Sequence, residues 1–489
     1  MEIAEYRKQL EQFQETLNRE LYRYYSGLEQ SLNPARVYSD YSDLHNLDTF
    51  RWINGEIEHA PDSYPSRKKS LQKIRGLIIE QYLDARSVAL SQDVAGFDSR
   101  SVQSPEGNVP VGRLPLLFAR QRDAEKRRDL NRAFVRGLAE SEEIRTERLV
   151  RLTEAAKELG FGSYLKACEA VTGIRYEELA AAFDPLLDAS QAEYLDDLRV
   201  AAESALGIPF HEVHWCDLGY WLRTCERADV FRASGLRPSL EETIGRLGVQ
   251  PERPGSISLD LDARPQKQPR AFCLPIRIPF EIKVVMLPAG GYADYASLFH
   301  ESGHAHHFAW TGPDLPIEHR IHGDRALTEA YGFLLEGITR DRLWLLDLQN
   351  YSNSSQFLRS REIFAAYNVR RHIAMLKFEV QLYSGSDYSS AARIYSELLT
   401  RHTGVRHDPE CWLADLDDRL YSADYLRGWI FETMLREHLR TKFGADWYQR
   451  QAAGKFLKEI WETGQFYSAD ELSREIGLGP LDPQVLSGG

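Results

Sequence analysis

The residues best equipped for chemistry in this 489-residue chain are His300, Glu301 and His304, set as His300-Glu301-Ser302-Gly303-His304. On a helix, four residues advance ~6 Å and about one turn, so both imidazoles project from one face and can share a single ion. Glu301 stands ~100° around the helix from His300. That places it outside the ion's coordination shell but beside its open position, where a carboxylate can take a proton from water. This is the chemistry of metal-assisted hydrolysis. An HExxH also arises by chance on solvated helices. Here Leu298, Phe299, Ala305 and Phe308 make the surrounding helix apolar, and a buried His-Glu-His face needs a partner such as a metal.

A catalytic zinc takes three protein ligands and keeps one position open. The pattern HExxHxxGxxH does not supply the third, because His307 stands at its glycine and Trp310 at its last histidine. His307 lies ~10.5 Å along the helix axis from His300, too far to share an ion, and reads as packing beside the site. A carboxylate from a following helix is the alternative. Leu327-Thr328-Glu329-Ala330-Tyr331-Gly332-Phe333 offers Glu329 early in an apolar helix. Glu318 and His322 compete, but both fall in a polar connection and read as solvated loop residues. The expected metal ligands are therefore His300, His304 and Glu329 around one Zn2+, with Glu301 as the base.

These residues need elements to hold them. The motif predicts a helix over Asp294–Ala309, capped by Asp294 after the Gly290-Gly291 turn and stopping near Gly312-Pro313. Before it, Ala271 to Leu287 alternates with the two-residue period of a strand pair, whose edge around Phe280 to Met286 could hold an extended peptide by strand addition. From Glu2 to about Ala205 the chain reads as successive amphipathic helices, for instance Arg120 to Leu149, with loop-like composition at Ala95–Pro115 and again at Gln250–Arg270. Helical spacing resumes after Asp324 and runs to about Lys442, interrupted over Trp412–Asp424. The expected class is mainly α, with a helical N-terminal lobe over 1–205 and a catalytic lobe over 206–489.

Composition narrows the partners. Sixty Lys and Arg against 73 Asp and Glu give a net charge of −13, which disfavours nucleic acid and anionic membrane. The first residues lack the apolar core of a secretory signal, and no apolar run approaches the ~20 residues of a membrane span. Five scattered cysteines signal neither a disulfide framework nor a cysteine zinc site, so a cytoplasmic protein with reduced thiols is expected.

Asp294 to Glu336 resembles the thimet oligopeptidase and oligoendopeptidase family of gluzincins, whose HExGHxxH is matched by His300, Glu301, Gly303, His304 and His307. Its third ligand lies at about the spacing of Glu329. Leu259 to Pro265 with Lys267 looks like the family's Asp-Leu-x-x-Arg segment, and Trp215 to Trp221 like its Trp-Asp-x-x-Tyr-Tyr element. Tyr421-Ser422-Ala423-Asp424-Tyr425-Leu426-Arg427-Gly428-Trp429 is similar to the family's tyrosine-rich segment. The third tyrosine is replaced by Gly428, and a preceding histidine by Leu416, with His402 or His407 nearby and read as solvated.

The resemblance spans residues 212–435. It implies two helical lobes around a deep substrate channel with a small β-sheet beside the zinc-binding helix, and hydrolysis of short unstructured peptides. By the same resemblance Tyr425 and Tyr421 join Glu301 as catalytic groups, donating hydrogen bonds to the oxygen that becomes anionic. Two rival readings stand beside it. One is a carboxypeptidase of related helical fold, using Arg277, Lys283 or Arg427 to hold a substrate carboxylate; the other is a non-catalytic metal-binding helical protein.

Overall fold

Apolar residues recurring at helical spacing fold as helices through most of the chain. The computed structural model, which describes residues 2–61, 63–385 and 387–488, is mainly helical with two small sheets. Among the described residues no helix is long and apolar enough to cross a membrane. Contacts gather into two compact units. One comprises Met1–Ala85, Arg227–Ser354 and Asp424–Leu486; the other comprises Arg86–Glu226, Ser355–Ala423 and Ser487–Gly489. Each is assembled from separated stretches of chain, and neither is bounded by a single cut near residue 205.

The second unit holds an element that helical periodicity does not foretell. Within the loop-like stretch Ala95–Pro115, β1 (Ser101–Ser104) and β2 (Gly107–Pro110) pair as an antiparallel hairpin. The run expected as one helix from Arg120 to Leu149 is two, Ala124–Ala139 and Glu142–Glu158. Its core includes Tyr194, Leu198, Trp221, Phe364 and Tyr367. The Trp215–Trp221 element is structural here: Trp215 Nε1 donates to Asp408 at 2.9 Å, and Asp217 accepts from the fully buried Arg127 at 2.7 Å. His407, expected as solvated, is buried, its Nε2 3.3 Å from the Tyr367 hydroxyl.

In the first unit the sheet has three strands, β3 (Ile257–Asp260), β4 (Phe272–Arg277) and β5 (Glu281–Val285), in the order β3-β5-β4. The predicted strand pair is the antiparallel β4–β5 hairpin. However, β5 also pairs in parallel with β3, Leu259 opposite Val284. The stretch expected as an open edge is therefore the middle strand, its backbone bonded on both sides, and Ile282, Val284 and Val285 are fully buried. The first helix, Ile3–Tyr25, lies along β4, with Asn18 Nδ2 donating to the Pro275 carbonyl at 2.8 Å.

Two helices follow and carry the candidate residues. The motif helix runs Tyr292–Trp310, beginning two residues before the expected start. Asp294 is not its N-cap. It sits in the first turn, and its carboxylate reaches back to accept the N–H groups of Ala289 and Gly290 at 2.8 and 2.6 Å. The helix stops at Trp310, where Thr311 donates its N–H to His307. The second helix, Arg325–Ile338, is capped by Asp324, which accepts from the Ala326 N–H. These two helices meet through Gly303. A Cβ there would stand 2.2 Å from the Tyr331 carbonyl oxygen, so no side chain fits the approach.

Candidate metal centre

His300 and His304, one turn apart, project from the motif helix toward Glu329 on its neighbour. The two Nε2 atoms face each other at 3.1 Å; His300 Nε2 lies 3.4 Å and His304 Nε2 3.8 Å from the Glu329 carboxylate oxygens. A tetrahedral ion with ligands at ~2.0–2.2 Å separates them by about 3.3–3.6 Å, a range that the three distances bracket, so small shifts of these side chains would seat one shared ion. They form the one group of three or more such donors among the described residues that could hold a metal.

The outer nitrogens complete the case. His300 Nδ1 donates to Glu336 Oε2 at 3.2 Å, and His304 Nδ1 lies 2.9 Å from Thr328 Oγ1. With those outer nitrogens as donors, both Nε2 lone pairs and a carboxylate converge, an arrangement that a cation satisfies. Burial disfavours charge on His300, but Glu329 and Glu336 outweigh it and hold its pKa well above the ordinary imidazole value. Burial lowers that of His304. A metal at this site thus competes with a proton on His300. Sequence reading missed Glu336 and Thr328, although Glu336 follows Glu329 by two helical turns and so shares its face.

Glu301 is half-buried on the sheet side of the motif helix. Burial, and then the Glu301 charge, hold the thiol of Cys273 on β4 well above its usual pKa. His307 packs beside the site as expected. It is fully buried, its Nε2 donates to the Gly464 carbonyl at 3.3 Å, and burial drives its pKa down to about 3.

The competitors for the third ligand are engaged elsewhere and are not solvated. Glu318 is fully buried and takes both Arg7 nitrogens at 2.5 and 3.0 Å, and the buried His322 pairs with Glu80 at 3.1 Å. Arg427 is buried as well, bidentate to Asp324 at 2.6 Å and bound to Asp470 at 2.8 Å, so carboxylates of the chain already meet its charge. Lys283 pairs with Glu281 at 3.2 Å, whereas Arg277 is exposed at the hairpin end with its guanidinium over Phe280.

No family model matches the chain, and no curated protein matches it in sequence. Solved structures do match in three dimensions. A candidate oligoendopeptidase F from Bacillus anthracis str. Ames superposes with TM-score 0.61 at 15% identity, covering 96% of this chain and 84% of that one. A second candidate oligoendopeptidase F gives TM-score 0.68 at 13% identity, covering 96% and 83%. The chain has the oligoendopeptidase F fold.

Within this version of the oligoendopeptidase F fold, both tyrosines fall on the helix Tyr421–Phe443. Tyr421 opens that helix in the second unit, and Tyr425, one turn on, belongs to the first. The half-buried Tyr425 ring lies 5.8 Å from Phe333 and 6.0 Å from Trp429, and Phe333 in turn lies 5.0 Å from the His300 ring. Gly428 brings this helix onto Glu329: a Cβ at 428 would stand 3.1 Å from the Glu329 Cβ, leaving no room for the third tyrosine.

Proposed function

We propose that this chain is a zinc-dependent oligopeptidase that hydrolyses peptide bonds in short, unstructured peptides. The observation that carries the reading is the convergence of His300 Nε2, His304 Nε2 and the Glu329 carboxylate within 3.1–3.8 Å, with the outer face of His300 tied to Glu336. Two imidazoles and a carboxylate suit zinc, with cobalt or manganese as possible substitutes. When bound, zinc would polarise the scissile carbonyl and make water acidic enough to be deprotonated near neutral pH.

The chain's own residues do the rest. Glu301 takes the proton from the attacking water and hands it to the leaving amine. Tyr425, on the same unit as the donor cluster, donates a hydrogen bond to the carbonyl oxygen as it gains charge. Glu336 keeps the His300 ring turned toward the donor cluster. The likeness to candidate oligoendopeptidase F structures supports peptide as the substrate. Five scattered cysteines with no disulfide among the described residues fit a cytoplasmic setting.

The direct test incubates the purified protein with a mixed peptide library and reads products by mass spectrometry before chelation, after it, and after zinc is restored. Cleavage that follows zinc supports the reading. A zinc-loaded protein that cuts no peptide sinks it. Peptides amidated at the C-terminus separate internal cleavage from the carboxypeptidase alternative.

A further inference from the structure

His300 is held on three sides. Glu336 fixes Nδ1 at 3.2 Å, and Phe333 stands edge-on to the ring at 5.0 Å. The third side is Gly332, on the helix that carries Glu329. A Cβ at Gly332 would lie 2.9 Å from His300 Cε1 and 3.0 Å from both Nδ1 and Nε2. Near-equal distances to three ring atoms mean that the missing side chain would press on the face of the imidazole. The atoms it would meet belong to a side chain, which can rotate, rather than to backbone. At Gly303 the opposite holds, since a Cβ there meets the Tyr331 carbonyl and the Gly332 Cα.

From this contrast we infer that Gly332 is a positioning residue for metal capture: its bare Cα is the seat on which the His300 ring lies flat with Nε2 aimed at His304 and Glu329. The inference rests on the zinc reading above. A methyl group at 332 costs the fold no more than the contacts of the His300 ring, which can swing aside, but swinging aside removes one of three donors from the cluster.

The test uses the full-length protein. Gly332→Ala is compared with wild type and with Gly337→Ala, a control on the same helix whose added methyl meets only ordinary contact, 3.7 Å from Glu432. Zinc affinity is read by competition with a chromophoric chelator, ligand geometry by the visible spectrum of the cobalt-loaded protein, and folding by the thermal midpoint of the metal-free protein.

Gly332→Ala is expected to lower that midpoint no further than His300→Ala does, since only the ring's own contacts are lost and alanine favours helix over glycine. It is expected to weaken zinc binding by ~10–100-fold, as loss of a ligand-orienting contact does, and to alter the cobalt spectrum. Gly337→Ala keeps wild-type affinity and spectrum. Wild-type affinity and spectrum in Gly332→Ala would overturn the inference, as would a metal-free midpoint below that of His300→Ala, which would mark a general packing role. His300→Ala keeps the two levels of argument apart: if it binds zinc like wild type, the metal site itself is wrong, whatever Gly332 does.

Discussion

Glu336 reaches Nδ1 of His300 at 3.2 Å from the same helix that carries Glu329, two turns further on. One helix thus contributes both a candidate ligand and the group that orients another. Because Glu329 and Glu336 flank one imidazole, they hold a proton there when no metal does, and the His300 pKa is raised despite burial. A folded pKa above the unfolded one gives stability that is complete below the unfolded value and is lost as pH rises through the folded pKa. The metal-free protein should therefore lose thermal stability as pH climbs through that folded value, and zinc affinity should rise over the same range. Glu336→Gln should move both transitions to lower pH and weaken zinc binding by ~10–100-fold. Thermal melts and chelator competition across a pH series check this; affinity independent of pH would refute it.

Ligand and base separate by what each loses. His304→Ala and Glu329→Gln should lose bound metal, whereas Glu301→Gln should retain it and lose hydrolysis, because only the first two belong to the convergent donor cluster. Metal content by mass spectrometry, set beside peptide turnover, decides the matter. Full metal occupancy in Glu329→Gln would mean that the cluster of donor atoms is not the binding site.

How much of this could be read from the chain depends on the range of each interaction. Spacing on one helix places His300, Glu301 and His304, and an apolar run after a polar connection offers Glu329. The burial of Glu318 and His322 was not legible, since their partners Arg7 and Glu80 lie more than 240 residues earlier. The middle position of β5 was hidden for a related reason: β3 is four residues long, too short to show a period, and it pairs in parallel with a strand some twenty residues away. The two compact units, each drawn from separated stretches, lie beyond local pattern altogether.

Arg427 gives a prediction that sequence alone would have placed elsewhere. Its guanidinium is 5% exposed and joins Asp324, the cap of the Glu329 helix, to Asp470. Removing one partner of a buried ion pair leaves a charge without compensation and costs about 3–5 kcal/mol. Arg427→Ala should therefore lower unfolding stability by that order in denaturant titration. The Michaelis constant for peptides with a free C-terminus should match that for amidated ones. Unchanged stability together with a raised constant for free peptides alone would return Arg427 to carboxylate capture.

Tyr425 is the sharpest test of the hydrolytic reading. Its ring stacks on Trp429 and approaches Phe333, which itself touches His300, so one aromatic side chain separates it from the metal ligands. Two roles are compatible with that position. As a packing residue Tyr425 would contribute ring area, and replacing it with phenylalanine would keep the ring and cost little. As a donor to the carbonyl oxygen it would contribute its hydroxyl, whose hydrogen bond strengthens as the oxygen becomes anionic. Phenylalanine removes only the hydroxyl, so the substitution discriminates between the two. Loss of such a donor typically lowers turnover by on the order of 100-fold to 1000-fold. Tyr425→Phe should show a fall of that size in kcat with zinc content, thermal midpoint and KM close to wild type. Wild-type turnover would confine Tyr425 to packing, and a joint fall in stability and activity would do the same.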